Sequence, residues 1–435
     1  MSQMMISIYA FPLLVTVLWM VFRQRKAQSI LRQIHIESVD AGLTESASLH
    51  PVIESTLCIG CGSCAAACPE HDVLGIIGGK AQLVSPTDCI GHGACQKACP
   101  VGAIDLVFGS SQRGVDIPAL TPTFETSQTG IYIAGELGGM GLIRNAVEQG
   151  RQAMQAIAKS LTKRPDLDVD ADVVVVGAGP AGISASLQAK EQGLRCITID
   201  QESLGGTVAH FPKNKLVMTQ PAILPIVGKM NFSEIQKEDL LEFWGKVIDE
   251  QKIKINFNEK VEAISSKNHK FVIKTPERSY TAHRILLTIG RRGSPRKLDV
   301  KGEEQSKVVY RMSDPEQYKE SHVLVVGGGD SALEAACSIA ELGNPNVTLC
   351  YRSGAFSRAK GKNRKRVDAL SESGKLRVML NCTPVSIGQT EVVLKQADES
   401  ISMDNDNVII CAGGILPFQF LRDIGIDVET KYGSS

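Results

Sequence analysis

Residues 172–200 read DVVVVGAGPAGISASLQAKEQGLRCITID, and the fold turns on this stretch. A buried strand of four valines runs into Gly177-x-Gly179-x-x-Gly182. A helical stretch follows, then a second strand that ends in Asp200. Glycines at these points permit a tight turn and let a pyrophosphate approach the helix N-terminus, where unpaired N–H groups favour anions. Asp200 stands where a carboxylate accepts from ribose hydroxyls. A lone GxGxxG says little, but strand, helix and acid in register specify a dinucleotide-binding βαβ unit.

A second unit starts at His322 with HVLVVGGGDSALEAACSIAELGNPNVTLCYRS. Its turn is Gly327-x-Gly329-x-x-Ala332, and its second strand ends in Arg352 instead of an acid. Arg358, Lys360 and Lys362 follow. An arginine at that place can meet a 2′-phosphate, which favours NADPH over NADH. The run Arg352–Arg366 has seven basic residues and no acidic one. Beyond Arg358 the alternative is a solvated loop.

Two such units about 150 residues apart resemble the two-dinucleotide flavoproteins of the thioredoxin reductase family. Gly205-Gly206 follows the first acid as that family's flavin loop does. Thr288-Ile289-Gly290 closes the first domain, and Cys411-Ala412-Gly413-Gly414 with Pro417 closes the second. The stretch from Leu204 to Lys246 looks more like the members that lack an internal disulfide. Where the family's C-x-x-C belongs, the chain reads Tyr310-Arg311-Met312-Ser313-Asp314, so a dithiol relay is not expected.

The family's flavin-covering segment is missing from the C-terminal end. It is found ahead of the first glycine motif, where 121–158 reads TPTFETSQTGIYIAGELGGMGLIRNAVEQGRQAMQAIA. The resemblance implies that Gly135 and Glu136 bond the flavin's ribityl hydroxyls. It also implies that the helix starting near Arg144, Asn145 and Ala146 aims its N-terminus at the isoalloxazine. The FAD domain is therefore expected to be circularly permuted, with Ser435 and the stretch Gly114–Leu120 within about 20 Å of each other. His210, after the flavin loop, is either a structural histidine or a contact to the flavin's edge.

The cysteines are unevenly placed. Of twelve, seven lie between Cys58 and Cys99, and the rest are scattered through apolar runs as core residues. Cys58-x2-Cys61-x2-Cys64-x3-Cys68-Pro69 is the full bacterial cluster-binding run. The second run is Cys89-x5-Cys95-x3-Cys99-Pro100, with His92 at the place of its second cysteine. The stretch resembles a two-cluster bacterial ferredoxin. Crossed ligation then implies Cys58, Cys61, Cys64 and Cys99 on one [4Fe-4S] cluster, and Cys89, Cys95 and Cys68 on the other. Three readings stand for His92: ligand to the fourth iron, neighbour of a [3Fe-4S] cluster, or surface residue.

Residues 5–22, MISIYAFPLLVTVLWMVF, carry no charge and precede Arg23, Arg25 and Lys26. Such a run nearly spans a ~30 Å hydrocarbon core. The positive charge follows the run instead of preceding it, which argues against a signal peptide. A single-pass anchor in the cytoplasmic membrane is expected, with the catalytic part on the cytoplasmic side. Lys+Arg 47 balances Asp+Glu 47, and aromatics are 5%, which argues against nucleic acid as a partner.

The expected architecture is α/β, with two Rossmann-like dinucleotide-binding domains (FAD and NAD(P)), an α+β ferredoxin-like 2x[4Fe-4S] domain and an N-terminal transmembrane helix. The expected boundaries are 5–22 for the helix, 50–108 for the iron–sulfur domain and 109–165 for the flavin-covering segment. FAD binding follows at 170–305, NAD(P) binding at 306–408, and a return to the FAD domain at 409–435. The expected activity is that of a membrane-anchored NAD(P)H oxidoreductase passing electrons through FAD and the clusters to a ferredoxin, cytochrome or quinone. Direct reduction of a small disulfide from the flavin and a redox-sensing scaffold are the alternatives. A homodimer is a candidate assembly, as dimers are common in the resembled family.

Overall fold

The computed structural model describes residues 2–40, 49–70, 72–110, 114–139, 141–161, 168–219, 221–267, 270–357 and 359–433. They form two compact units, Met1–Val115 with Lys431–Ser435, and Asp116–Thr430.

The first unit opens with helix α1 (Ser2–Asp40). The expected membrane span is overturned here. Among the described residues no helix is long and apolar enough to cross a membrane. The helix continues past Arg25, Lys26 and Arg32 and packs on the module that follows. Leu31 lies so near Gly75 that a Cβ there would stand 3.0 Å from its Cδ1. The transmembrane helix and the single-pass cytoplasmic-membrane location are both withdrawn.

The rest of the unit is small and internally repeated. Strand His50–Ile53 pairs antiparallel with Ile104–Val107, and Leu74–Ile77 pairs with Lys80–Leu83. Two one-turn helices, α2 (Ser63–Ala67) and α3 (Ala94–Ala98), each hold one cysteine, Cys64 or Cys95, and end on another, Cys68 or Cys99. The core is thin: Val73, Leu74, Ala81, Ala103 and Ile104, with Cys58, Cys64 and Cys95 among them.

The second unit holds two large sheets, the first mixed, with its Lys270–Lys274 and Ala263–Lys267 strands antiparallel, and the second parallel. In the first, strand order is Ile255–Asn256, Cys196–Ile199, Ala171–Val176, Ser279–Leu287, Lys270–Lys274, Ala263–Lys267. A further strand, Ile131–Ile133, runs parallel to Ser279–Leu287, with Ile131 opposite Ile285. Helix α4 (Ile143–Ser160) follows that strand, and α5 (Pro180–Glu191) follows the first glycine turn. The two helices touch backbone to backbone, since a Cβ at Gly150 would fall 2.1 Å from the Ala181 carbonyl oxygen. Helix α6 (Lys237–Glu250) buries Leu240, Trp244 and Val247 beside Ile183 and Leu187 of α5.

The second sheet runs Val308–Val309, Asn407–Ile410, Val323–Val326, Val347–Tyr351, Arg377–Leu380, all parallel. Helix α7 (Asp330–Glu341) covers it. Helix α8 (Gly361–Glu372) replaces the solvated loop considered for the basic run. The last strand, Val428–Lys431, pairs with Val115–Pro118. The Ala119 N–H donates to the Asp427 carbonyl at 3.0 Å.

Candidate functional site

The first glycine turn is closed from behind by Thr288. Its hydroxyl donates to the carbonyls of Val176 (2.9 Å) and Gly177 (2.8 Å). A Cβ at Gly182 would sit 1.8 Å from the Gly177 oxygen, so only glycine lets helix and strand approach this closely. Gly205 donates to the Ala178 carbonyl at 2.9 Å, which sets the flavin loop against the turn. Gly179 and Gly206 face each other across that joint: a Cβ on Gly206 would be 3.1 Å from the Gly179 Cα.

Asp200 accepts from the backbone N–H of Ala178 (2.5 Å) and Glu202 (2.8 Å). Burial pushes its carboxyl up, and the two N–H groups work against that rise. Gly135 sits beside the same turn. Its N–H donates to Gln149 Oε1 at 2.8 Å, and a Cβ on it would be 3.2 Å from that of Ala181. Burial pushes the adjacent Glu136 up, against the pull of Arg291. Arg144, Asn145 and Ala146 form the first turn of α4, with Arg144 exposed and Ala146 buried. Gly135, Gly177, Gly179, Gly182, Asp200, Gly205 and Gly206 thus converge on one backbone-lined place. A glycine-only cradle with an uncapped helix start fits a pyrophosphate, so these residues would hold FAD.

The second turn repeats the design. The Cys411 N–H donates to the Val326 carbonyl at 2.7 Å, as the Thr288 N–H does to Val176 at 2.8 Å. Ala332 is fully buried at the third position, and Gly329 caps α7 without any side chain on its N-terminus. The Tyr351 ring lies over Gly328, where a Cβ would be 2.3 Å from it, and stacks on Phe356 at 5.5 Å. Arg352 follows, exposed. Arg358 lies outside the described residues. Asp330 ties the basic segment down, accepting from the Lys360 N–H (2.8 Å) and Asn363 Nδ2 (2.7 Å). Arg366 pairs with Glu341, which takes it out of the phosphate-binding set.

His210 is engaged by protein. Its Nδ1 faces Arg311, which also donates to Glu202 at 2.9 Å, and its Nε2 faces Glu202. An Nδ1 that accepts from a guanidinium carries no proton, so the ring is neutral and donates from Nε2 to Glu202. Burial, then the Arg311 charge, push its pKa down. The sequence motifs do not signal this cluster or the role of Gln149. The Thr-Ile-Gly signature marked Thr288 only as a domain end.

The seven clustered thiols line two separate cavities. Cys58, Cys61, Cys64 and Cys99 line one, with Ile59 and Val101 at its wall. Cys68, Cys89 and Cys95, with His92, line the other. Among the described residues no three His, Cys, Asp or Glu side chains converge as a single-ion site. Thiols spread over a cavity wall suit an inorganic cluster better than one ion. Ala81 N–H reaches the Cys58 sulfur at 3.4 Å and Ala103 N–H the Cys99 sulfur at 3.2 Å, bonds that tune a cluster's potential. Burial pushes Cys95 up to about 11, while the Ser63 hydroxyl draws Cys61 down. Metal binding must displace such protons.

This fold and these sites define a flavin-dependent pyridine nucleotide oxidoreductase that carries an iron–sulfur domain. Residues 174–433 match the pyridine nucleotide-disulphide oxidoreductase family, and the chain belongs to it. Residues 50–100 match the 4Fe-4S dicluster domain. The chain is 26% identical over 266 residues to bacilliredoxin reductase Bdr of Bacillus subtilis, covering 60% of this chain and 82% of that protein. It is also 26% identical over 274 residues to the ferredoxin–NADP reductase of Pelagibacter ubique, covering 60% and 78%. The bacillithiol disulfide reductase of Staphylococcus aureus shares the fold, with a TM-score of 0.51 at 24% identity over 59% of this chain and 80% of that one. A membrane or a homodimer finds no support in these relatives.

Proposed function

We propose that this chain oxidises NAD(P)H, with NADPH preferred, and delivers electrons singly from its cysteine-lined module to a ferredoxin-type carrier. The observation that carries the reading is a pairing of presence and lack. Two cysteine-lined cavities accompany a flavin and nucleotide pair of turns whose usual dithiol position holds Arg311, bonded to Glu202. Cys337 is fully buried in the helix after the second turn. Burial pushes its thiol up to about 11, so it is a poor substitute nucleophile.

Bound in these sites, FAD would supply two-electron hydride chemistry and iron–sulfur clusters one-electron transfer. The chain's own part is to bind and orient. Gly177, Gly179, Gly182, Gly205 and Gly206 admit the FAD pyrophosphate, and Asp200 receives its ribose. Gly327, Gly329, Ala332 and Arg352 do the same for NADPH, Arg352 meeting the 2′-phosphate. Cys58, Cys61, Cys64 and Cys99 hold one cluster, and Cys68, Cys89 and Cys95 hold three irons of the other.

The segment 109–165 acts in this reading as the flavin-covering part of a circularly permuted FAD domain. Domain limits at 170–305, 306–408 and 409–435 belong to the same reading. Its support is the place of Ile131–Ile133 beside Ser279–Leu287 and the pairing of Val428–Lys431 with Val115–Pro118. The second pairing brings the C-terminal strand to the stretch where permutation requires it. Ser435 itself lies outside the described residues. The names of relatives such as ferredoxin–NADP reductase point to a ferredoxin-type partner over a cytochrome or quinone.

Anaerobic stopped-flow mixing with NADPH is the test. Flavin absorbance should bleach first and the broad iron–sulfur absorbance second, with NADH slower. In a Cys58→Ala/Cys61→Ala double variant, flavin reduction should persist and reduction of an added ferredoxin should stop. Persistent turnover of a small disulfide in that variant would instead favour the second reading, suggested by the likeness to bacilliredoxin reductase.

A further inference from the structure

We propose that His92 is the fourth ligand of the cluster held by Cys68, Cys89 and Cys95, and that its imidazole raises that centre's potential above what a thiolate would give. This rests on the iron–sulfur reading above.

The two cysteine loops are copies of each other. Cys58-Ile59-Gly60-Cys61-Gly62-Ser63-Cys64 runs against Cys89-Ile90-Gly91-His92-Gly93-Ala94-Cys95. Their backbones agree as closely as their letters. Gly60 and Gly91 have φ of 68° and 75°, and Gly62 and Gly93 have 79° and 72°. Each second glycine starts a five-residue helix, Ser63–Ala67 or Ala94–Ala98. Those helices end on Cys68 (φ −74°, ψ 122°) and Cys99 (φ −76°, ψ 112°). Residue 92 therefore leaves its loop in the same direction as residue 61 leaves its own. Cys61 reaches the wall shared with Cys58, Cys64 and Cys99, and His92 reaches the wall shared with Cys68, Cys89 and Cys95.

Both loops are also held tightly from behind. A Cβ at Gly60 would be 2.1 Å from the Gly79 oxygen, and one at Gly91 would be 2.8 Å from the Leu49 oxygen. Neither glycine position admits a side chain. A surface histidine has no reason to stand at the ligand position of a duplicated loop between two left-handed glycines, half-buried in a thiol-lined cavity. Imidazole is a competent iron donor. Being neutral, it leaves the centre one negative charge short of the all-thiolate form, which makes an added electron easier to hold. The N–H bonds to the Cys58 and Cys99 sulfurs act in the same direction on the other centre. The rise in potential is therefore that of the His92 centre over its own thiolate version, whatever the order of the two centres.

The test uses the full chain, purified anaerobically, with His92→Cys and His92→Ala beside it. His92→Cys is expected to fold, because the matching loop already carries cysteine at 61. Pulsed EPR of the reduced wild-type protein should show nitrogen coupling that His92→Cys abolishes. A potentiometric EPR titration should show one centre of His92→Cys shifted to lower potential and the other unmoved. His92→Ala should show the three-iron signal when oxidised. A wild-type protein that already shows the three-iron signal, or a His92→Cys protein with both potentials unchanged, overturns the proposal and leaves the iron–sulfur reading intact. A chain that holds no iron or sulfide at all overturns both.

Discussion

The two glycine turns have the same backbone plan and differ in how tightly they are shut. In the first, a threonine hydroxyl bridges two carbonyls and the third glycine allows no Cβ. In the second, Cys411 stands in the threonine's place and the third position carries a real methyl group, Ala332. Cys411 is half-buried, and burial pushes its thiol up to about 12. A thiol, a weak donor, stands where the first turn has a hydroxyl. The first turn is thus shut by a hydroxyl bridge that the second lacks, while the second is covered by the Tyr351 ring lying on Gly328.

The largest effect should come from Gly182→Ala. With its Cβ 1.8 Å from a carbonyl oxygen, it should cost about 3 kcal/mol or more and release FAD. Thermal melts and the flavin content of purified protein measure this. Gly329→Ala is the control in the other turn, because a Cβ there meets nothing within 4 Å. It should melt within ~0.5 kcal/mol of wild type. Equal losses from the two would break the comparison.

Next in size is Arg352→Gln. Losing a charged hydrogen bond to a phosphate costs roughly 1.5–3 kcal/mol, or about 10- to 150-fold in the KM for NADPH. The KM for NADH should hardly move, and steady-state kinetics with both nucleotides decide. Thr288→Val removes the donor to Val176 and Gly177. It should cost about 1 to 2 kcal/mol in denaturant titrations. Cys411→Ser, which improves the donor at the matching place, should not destabilise to that extent.

The smallest effect is a pH dependence. His210 has a folded pKa below its unfolded value near 6.5. Its stabilising contribution is present above pH ~6.5 and is lost as pH falls from there through the folded value. His210→Gln can still accept from Arg311 and donate to Glu202, so it should flatten that slope. Melting temperatures from pH 7.5 to 5 check this. A slope that survives in the variant assigns it to another group.

The motifs were legible because their chemistry is local. Cluster ligands two or three residues apart must share a loop, and Gly177, Gly179 and Gly182 are demanded by one turn. Asp200 was legible as the residue that ends a strand. Gln149, Glu202 and Arg311 were not, since each acts on a residue that no spacing rule connects to it. The run Arg352–Arg366 read as seven basic residues with no acidic one, yet Asp330 and Glu341 bind part of it back to α7. The N-terminal run misled for a related reason. Eighteen uncharged residues describe a window, whereas the helix that contains them runs on through several charges to Asp40.

By itself, the order of residues determined the two glycine turns, the cysteine loops and the strand and helix ahead of Gly177. Each is a contiguous pattern whose meaning is contained in its own backbone. The resemblance to a two-cluster ferredoxin implied how the thiols divide, and the tertiary structure sets Cys58, Cys61, Cys64 and Cys99 on one cavity wall and Cys68, Cys89 and Cys95 with His92 on another. It alone showed that Thr288 locks one turn where Cys411 stands behind the other. Those facts depend on which distant segments are pressed together, and packing across a core leaves no periodic trace along the chain.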